Sequence, residues 1–182
     1  LLEGLERPVA AEIGGGVGLF CYFLMKRMNR PVYIDFDLPE NLLVESYFLS
    51  MAFPEKRILY YRGSDQAITR QTLADYDIIL MPNFMLPALE DQSVDLFINT
   101  ISFSEMEYAT IAEYLKQIER TCRKYFYHEN LADFNFSYKS YPVDLFPIPE
   151  TFREIMTAAS RWPHFSFTSR DHSYVESLYV RR

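Results

Sequence analysis

The chain has 182 residues, 49% of them hydrophobic and 24% charged, which predicts one globular domain that needs no disulfides and excludes disorder or low complexity. Its 18 basic and 25 acidic residues give a net charge of −7, and the basic ones form no stripe to grip a phosphate backbone, which excludes nucleic acid as the expected partner. No apolar run approaches the ~18 residues of a membrane span and no secretory leader is evident, so the expected compartment is the cytoplasm.

In chain order, residues 9–13 form a short apolar run that breaks into Gly14-Gly15-Gly16-Val17-Gly18, the pattern of a buried strand entering a tight turn. Because that strand comes only eight residues after Leu1, the N-terminus reads as trimmed from a longer protein. Residues 19–25 are apolar on every side and lead to Lys26 and Arg27 ahead of Pro31, predicting a helix packed on a sheet. Residues 32–36 predict a second strand, and Asp37-Leu38-Pro39-Glu40 opens a second helix that stops before Pro54. Strand, glycine turn, helix and strand within about thirty residues make a βαβ unit and therefore a parallel sheet.

Beyond Pro54, residues 77–81 and 94–99 are strand candidates, and residues 57–61 read as a strand or as part of an insertion. Ser104 and Glu107 have capping-box spacing, and Ile111, Leu115, Ile118 and Cys122 follow at helical intervals, predicting a helix over 105–123 and a strand at 125–127. Pro149 followed by Phe152, Ile155, Met156 and Ala159 predicts another helix up to Pro163. Residues 165–168 and 174–180 flank a polar turn and predict an antiparallel hairpin on the sheet edge. Cys21 and Cys122, far apart in apolar stretches, read as buried thiols.

A strand, glycine turn and helix in succession bring backbone N–H groups and a helix N-terminus up to a ligand with no Cβ between. Dinucleotide binders use G-x-G-x-x-G for a pyrophosphate. Here the spacing is Gly14-x-Gly16-x-Gly18, and Glu12 stands two residues before the first glycine, where a carboxylate repels a pyrophosphate and attracts an ammonium group. A turn that merely permits close packing is the alternative.

The run Glu12-Ile13-Gly14-Gly15-Gly16-Val17-Gly18 resembles the first motif, E/D-x-G-x-G-x-G, of the class I methyltransferases. The resemblance implies a Rossmann-like three-layer α/β sandwich over residues 1–182, with a mostly parallel seven-stranded sheet and a C-terminal antiparallel hairpin. It implies S-adenosylmethionine as cofactor, with Glu12 and the backbone of Gly14, Gly15, Gly16 and Gly18 at its methionine part. Asp37, about 20 residues past the glycines, takes the ribose hydroxyls, with Leu38 beside it; Asp35 is the alternative. Asp37 and Glu40 also have the spacing of a helix cap. If the third strand is 77–81, Asn83 and Phe84 meet the adenine; if it is 58–61, that contact moves to Gly63-Ser64-Asp65. Asn99 lines the sulfonium.

Methyl transfer to a hydroxyl needs in-line geometry and a base for the proton. His128, at the ligand end of a predicted strand, is the first candidate and Glu105 the second, although a carboxylate in the first turn of a helix also serves its dipole. His164 and His172 read as surface or packing residues. No N-P-P-[YF] motif follows the strand at 94–99, and no Asp/His cluster marks a metal, so none is expected.

Between residues 125 and 146 there are eight aromatics mixed with short amides and carboxylates, a composition that suits the C–H faces and hydroxyl edges of a sugar or simply covers a sheet edge. Together, the stretches 12–18, 37–40, 46–49, 99–106 and 127–130 resemble the sugar O-methyltransferases, a likeness that is faint over 54–75 and 137–149. That likeness implies a saccharide or small-molecule acceptor. Two other readings stand: a nicotinamide-dependent oxidoreductase, disfavoured by the glycine spacing, and an inactive cofactor- or partner-binding module of the same fold. A cap over the acceptor would come from the missing N-terminus, the middle insertion or another subunit of a homo-oligomer.

Overall fold

In the computed structural model, residues 1–63, 66–132, 141–160 and 174–182 are described. The strands are β1 (Val9–Ile13), β2 (Val32–Asp37), β3 (Ile58–Tyr60), β4 (Ile78–Pro82), β5 (Val94–Thr100), β6 (Cys122–Leu131), β7 (Phe152–Ala159) and β8 (Tyr174–Arg181). The helices are α1 (Leu19–Arg27), α2 (Pro39–Ala52), α3 (Arg70–Asp75) and α4 (Tyr108–Thr121). They build one sheet in the order β3-β4-β2-β1-β5-β6-β8-β7, parallel from β3 to β6 and antiparallel at β8 and β7.

The central strands β1, β2 and β4 are buried at every residue, which is why they read as continuous apolar runs and not as alternating ones. Tyr33, Leu80 and Ile98 pack with Cys21, Leu24, Leu42 and Leu49 of α1 and α2 on one face. Ile13, Phe36 and Phe97 pack with Leu73 of α3 and Ile111, Leu115 and Ile118 of α4 on the other. The result is a three-layer sandwich.

The structure changes several expectations. The sheet has eight strands where seven were expected, because both candidates for the third strand are real: β4 lies against β2, and β3 adds a three-residue edge outside it. Residues 152–159 form β7, not a helix; their apolar spacing of three and four is overridden by pairing with β8 along its length. The closing hairpin is therefore β7–β8, and the expected strand at 165–168, like His164 and His172, lies outside the described residues. The helix expected over 105–123 starts at Tyr108 and yields to β6 at Cys122. Ser104 caps nothing there, because its hydroxyl bonds Asn130 Oδ1 at 3.0 Å.

Candidate ligand-binding site

Beyond the carboxyl ends of β1, β2, β4 and β5 lies a cavity of about 500 Å³. It opens beside the junction of β1 and β5, where the strand order reverses, the place at which open α/β sheets hold ligands. The glycine turn forms one wall. Gly14 has φ +78°, and a Cβ on it would stand 2.6 Å from Ser102 Oγ, so only glycine lets the turn after β1 close on the loop after β5. A Cβ on Gly15 would stand 2.7 Å from the Tyr33 hydroxyl.

Two β2 carboxylates hold the turn in place. Gly15 N–H donates to Asp35 Oδ1 at 3.0 Å and Gly16 N–H to Asp37 Oδ2 at 2.9 Å. Asp37 Oδ1 also accepts from Leu38 N–H at 2.6 Å and Asn41 Nδ2 at 3.0 Å. The expected helix cap is not formed, since α2 starts at Pro39 with Leu38 as its N-cap residue. A carboxylate offers about four lone-pair directions, so Asp37 keeps acceptor capacity for a ligand on the cavity side.

The opposite wall is the loop after β5, fixed by amides and hydroxyls. Asn99 Nδ2 donates to the Ile13 carbonyl at 3.0 Å and also bonds Ser102 Oγ. Asn130 Nδ2 donates to Asn99 Oδ1 at 2.8 Å, and Ser104 N–H donates to Asn130 Oδ1 at 3.0 Å. This network holds Ile101 at φ 71°, a backbone state that a β-branched residue adopts only under constraint.

The described lining carries two charged groups, Asp37 and Glu105, and no Lys, Arg or His. Asn83, Thr110 and Tyr114 add polar atoms, with the Tyr114 hydroxyl bonded to Asn83 and its pKa raised by burial. The cavity is thus electronegative, and a cation entering it loses no favourable interaction with the wall.

Comparison with solved structures fits this geometry. An S-adenosylmethionine-dependent methyltransferase from Aquifex aeolicus superposes with a TM-score of 0.62 at 14% identity, covering 97% of this chain and 84% of that one. The N-methyltransferase NodS from Bradyrhizobium japonicum gives 0.61 at 11% identity, over 96% and 85%. Magnesium protoporphyrin IX methyltransferase from Synechocystis, solved with bound S-adenosylmethionine, gives 0.60 at 11% identity, over 98% and 72%. The fold is that of the class I methyltransferases. No protein-family model and no curated protein matches the chain.

On this fold the residues singled out from sequence separate by position. Gly14, Gly16, Asp37, Leu38, Asn83 and Glu105 line the cavity, while Gly15 and Gly18 support the turn from outside it. Asn99 is fully buried and acts as the clamp of the loop, and Phe84 stands 59% exposed beside a shallower neighbouring hollow. Of the alternative adenine contact, Ser64 and Asp65 lie outside the described residues, as does much of the aromatic loop at 133–140.

Glu12 and His128 are outside the cavity lining. Glu12 points to the α1–α2 face, where its Oε2 accepts from the Tyr33 hydroxyl at 2.7 Å and burial raises its pKa to about 7. It shares that pocket with Asp35 and Glu45, whose carboxyls burial also drives up, Glu45 to about 8. Asp35 Oδ2 and both Glu45 oxygens have no donor among the described residues, and the raised pKa values of the two facing carboxyls favour the protonated form. His128 is fully buried, with Phe126, Phe146 and Tyr179 around its ring and, among the described residues, no partner for either nitrogen. Burial lowers its pKa to about 4, so it is a neutral ring in the core, set apart from the described cavity lining where a proton acceptor was expected.

The sequence reading missed Tyr114 and Thr110. Tyr114 follows Ile111 by one turn on the buried face of α4, and an aromatic hydroxyl on that otherwise aliphatic stripe was the available signal.

Proposed function

We propose that the chain is an S-adenosylmethionine-dependent methyltransferase acting on a hydroxyl of a sugar or polysaccharide precursor. The observation that carries the cofactor is the wall chemistry: a glycine turn joined to Asp37, with two carboxylates and no cation along the described lining. A sulfonium with an ammonium group suits that wall, and a nicotinamide dinucleotide brings a pyrophosphate that finds no positive partner. When bound, S-adenosylmethionine supplies an electrophilic methyl group.

In this reading the turn backbone and Asp37 hold the cofactor, with Asp37 accepting from the ribose hydroxyls and Asn83 and Tyr114 near the base. Glu105, exposed on the cavity rim, takes the hydroxyl proton of the acceptor in place of His128. The saccharide acceptor rests on the resemblance of residues 37–40, 46–49, 99–106 and 127–130 to sugar O-methyltransferases.

Titration calorimetry with S-adenosylmethionine, S-adenosylhomocysteine and NAD tests the cofactor. Binding of the first two and no heat from NAD is expected; the reverse selects the oxidoreductase reading. Methyl transfer to a panel of free and lipid-linked saccharides then tests the acceptor, and binding without turnover on any of them would support an inactive module.

A further inference from the structure

The outward side of α2 is apolar where a surface helix is ordinarily charged. Leu43, Tyr47 and Met51 are 73%, 71% and 69% exposed, and Val44 is more than half exposed. Its inward side is already satisfied by Leu42, Glu45 and Leu49, which are buried. On the adjacent helix, Leu19 and Phe23 are also half exposed, and Tyr22 packs against Phe48, placing both helices in one layer. At on the order of 100 Å² each, these six side chains present about 600 Å², the upper range for a monomer's largest apolar patch.

We infer that this α2 face is the interface of a two-fold symmetric dimer of the chain. Leu43 and Met51 lie four residues either side of Tyr47, so a two-fold axis through Tyr47 sets Leu43 of one copy against Met51 of the other, with helices antiparallel. A symmetric pair must meet its own surface, and this stripe is self-complementary in that sense. Its central stretch carries no exposed charge: Glu45 is the one charged residue between positions 41 and 51, and it faces inward, while the exposed Glu40 sits a turn before Leu43 at the edge of the stripe. For a chain of net charge −7, an uncharged face lets two copies approach with the least repulsion. The pair would cover about 1,200 Å² in total, the lower end of specific interfaces.

A lipid surface fits less well. No Lys or Arg occurs between positions 31 and 55, so anionic headgroups find no cation on α2; the basic residues of this layer, Lys26 and Arg27, are confined to the last turn of α1, where Lys26 already lies over the Tyr22 and Phe53 rings.

Sedimentation velocity of the whole chain at tens of micromolar tests the assignment. A mass of twice 21.5 kDa is expected, falling by half in Tyr47→Glu, which places like charges on the axis, and in Leu43→Lys, with far-UV circular dichroism and melting unchanged in both. Because Cys21 and Cys122 are buried, Tyr47→Cys carries a single exposed thiol at the axis and should form a chain-to-chain disulfide under mild oxidation. A monomeric wild type, or a dimer that survives both charged substitutions, overturns the proposal. So does a monomer that sediments with phosphatidylglycerol vesicles, which would give this face to a membrane.

Discussion

The backbone N–H of Gly16 donates to the carboxylate of Asp37 at 2.9 Å, so the turn after β1 and the acid that ends β2 move as one unit. A ligand that touches the turn or the carboxylate is therefore read by both.

Replacing Asp37 removes that tie and a ribose acceptor together. Hydrogen bonds to a charged group contribute about 1.5–3 kcal/mol, so Asp37→Ala should raise the dissociation constant for S-adenosylhomocysteine about 10- to 100-fold by calorimetry. Asp37→Asn, which keeps an acceptor oxygen, should lose less.

Gly14→Ala places a Cβ 2.6 Å from Ser102 Oγ on a backbone with φ +78°. The left-handed conformation alone disfavours alanine by roughly 1–2 kcal/mol. A fall in Tm of several degrees is expected in a thermal melt, with cofactor heat abolished because the turn must back away from the loop after β5.

Glu105→Gln keeps size and removes the basic site. Loss of a general base lowers turnover about 10²- to 10⁴-fold, so kcat should fall in that range while the cofactor dissociation constant stays within twofold. Equal losses in both would make Glu105 a binding residue.

His128 gives a stability prediction and a negative catalytic one. Its folded pKa, about 4, lies below the usual value near 6.5, so the unfolded chain binds the proton more readily. Stability from this group is whole above pH 6.5 and is lost as pH falls toward 4, on the order of 3 kcal/mol in all. In urea unfolding at pH 7 and pH 5, His128→Phe should flatten that decline and leave kcat unchanged. A kcat reduced a hundredfold would restore His128 as the base.

Glu45 acts in the opposite direction. Burial raises its pKa from 4.5 to about 8, so the folded state holds the proton, and the stability it contributes below pH 4.5 is lost as pH rises through about 8. Glu45→Gln is already neutral and should melt higher than wild type at pH 9, with the gap closing by pH 5.

The first half of the sheet was legible in the sequence because its signals are local. Gly14 to Gly18 ends β1, Pro39 starts α2, and uninterrupted apolar runs mark strands buried on both faces. The second half depends on distant partners. Phe152, Ile155, Met156 and Ala159 carry a helical spacing, yet β8 claims their backbone, and Ser104 looks like a cap until Asn130, 26 residues on, takes its hydroxyl. Around the cavity, the positions of Gly14, Gly16, Asp37, Leu38 and Asn83 were legible because they lie at or just past strand ends. His128 was not, since period-two alternation decides which face of β6 its ring enters, and that face is aromatic core. Tyr114 comes from the middle of α4, where no motif points.

The two supports of the cavity differ in chemistry. Asn99, Ser102, Ser104 and Asn130 contain nothing that titrates, whereas Glu12, Asp35 and Glu45 beneath the turn all do. Alkali should consequently loosen the cleft from one flank while the other keeps its shape, giving lopsided rather than uniform softening.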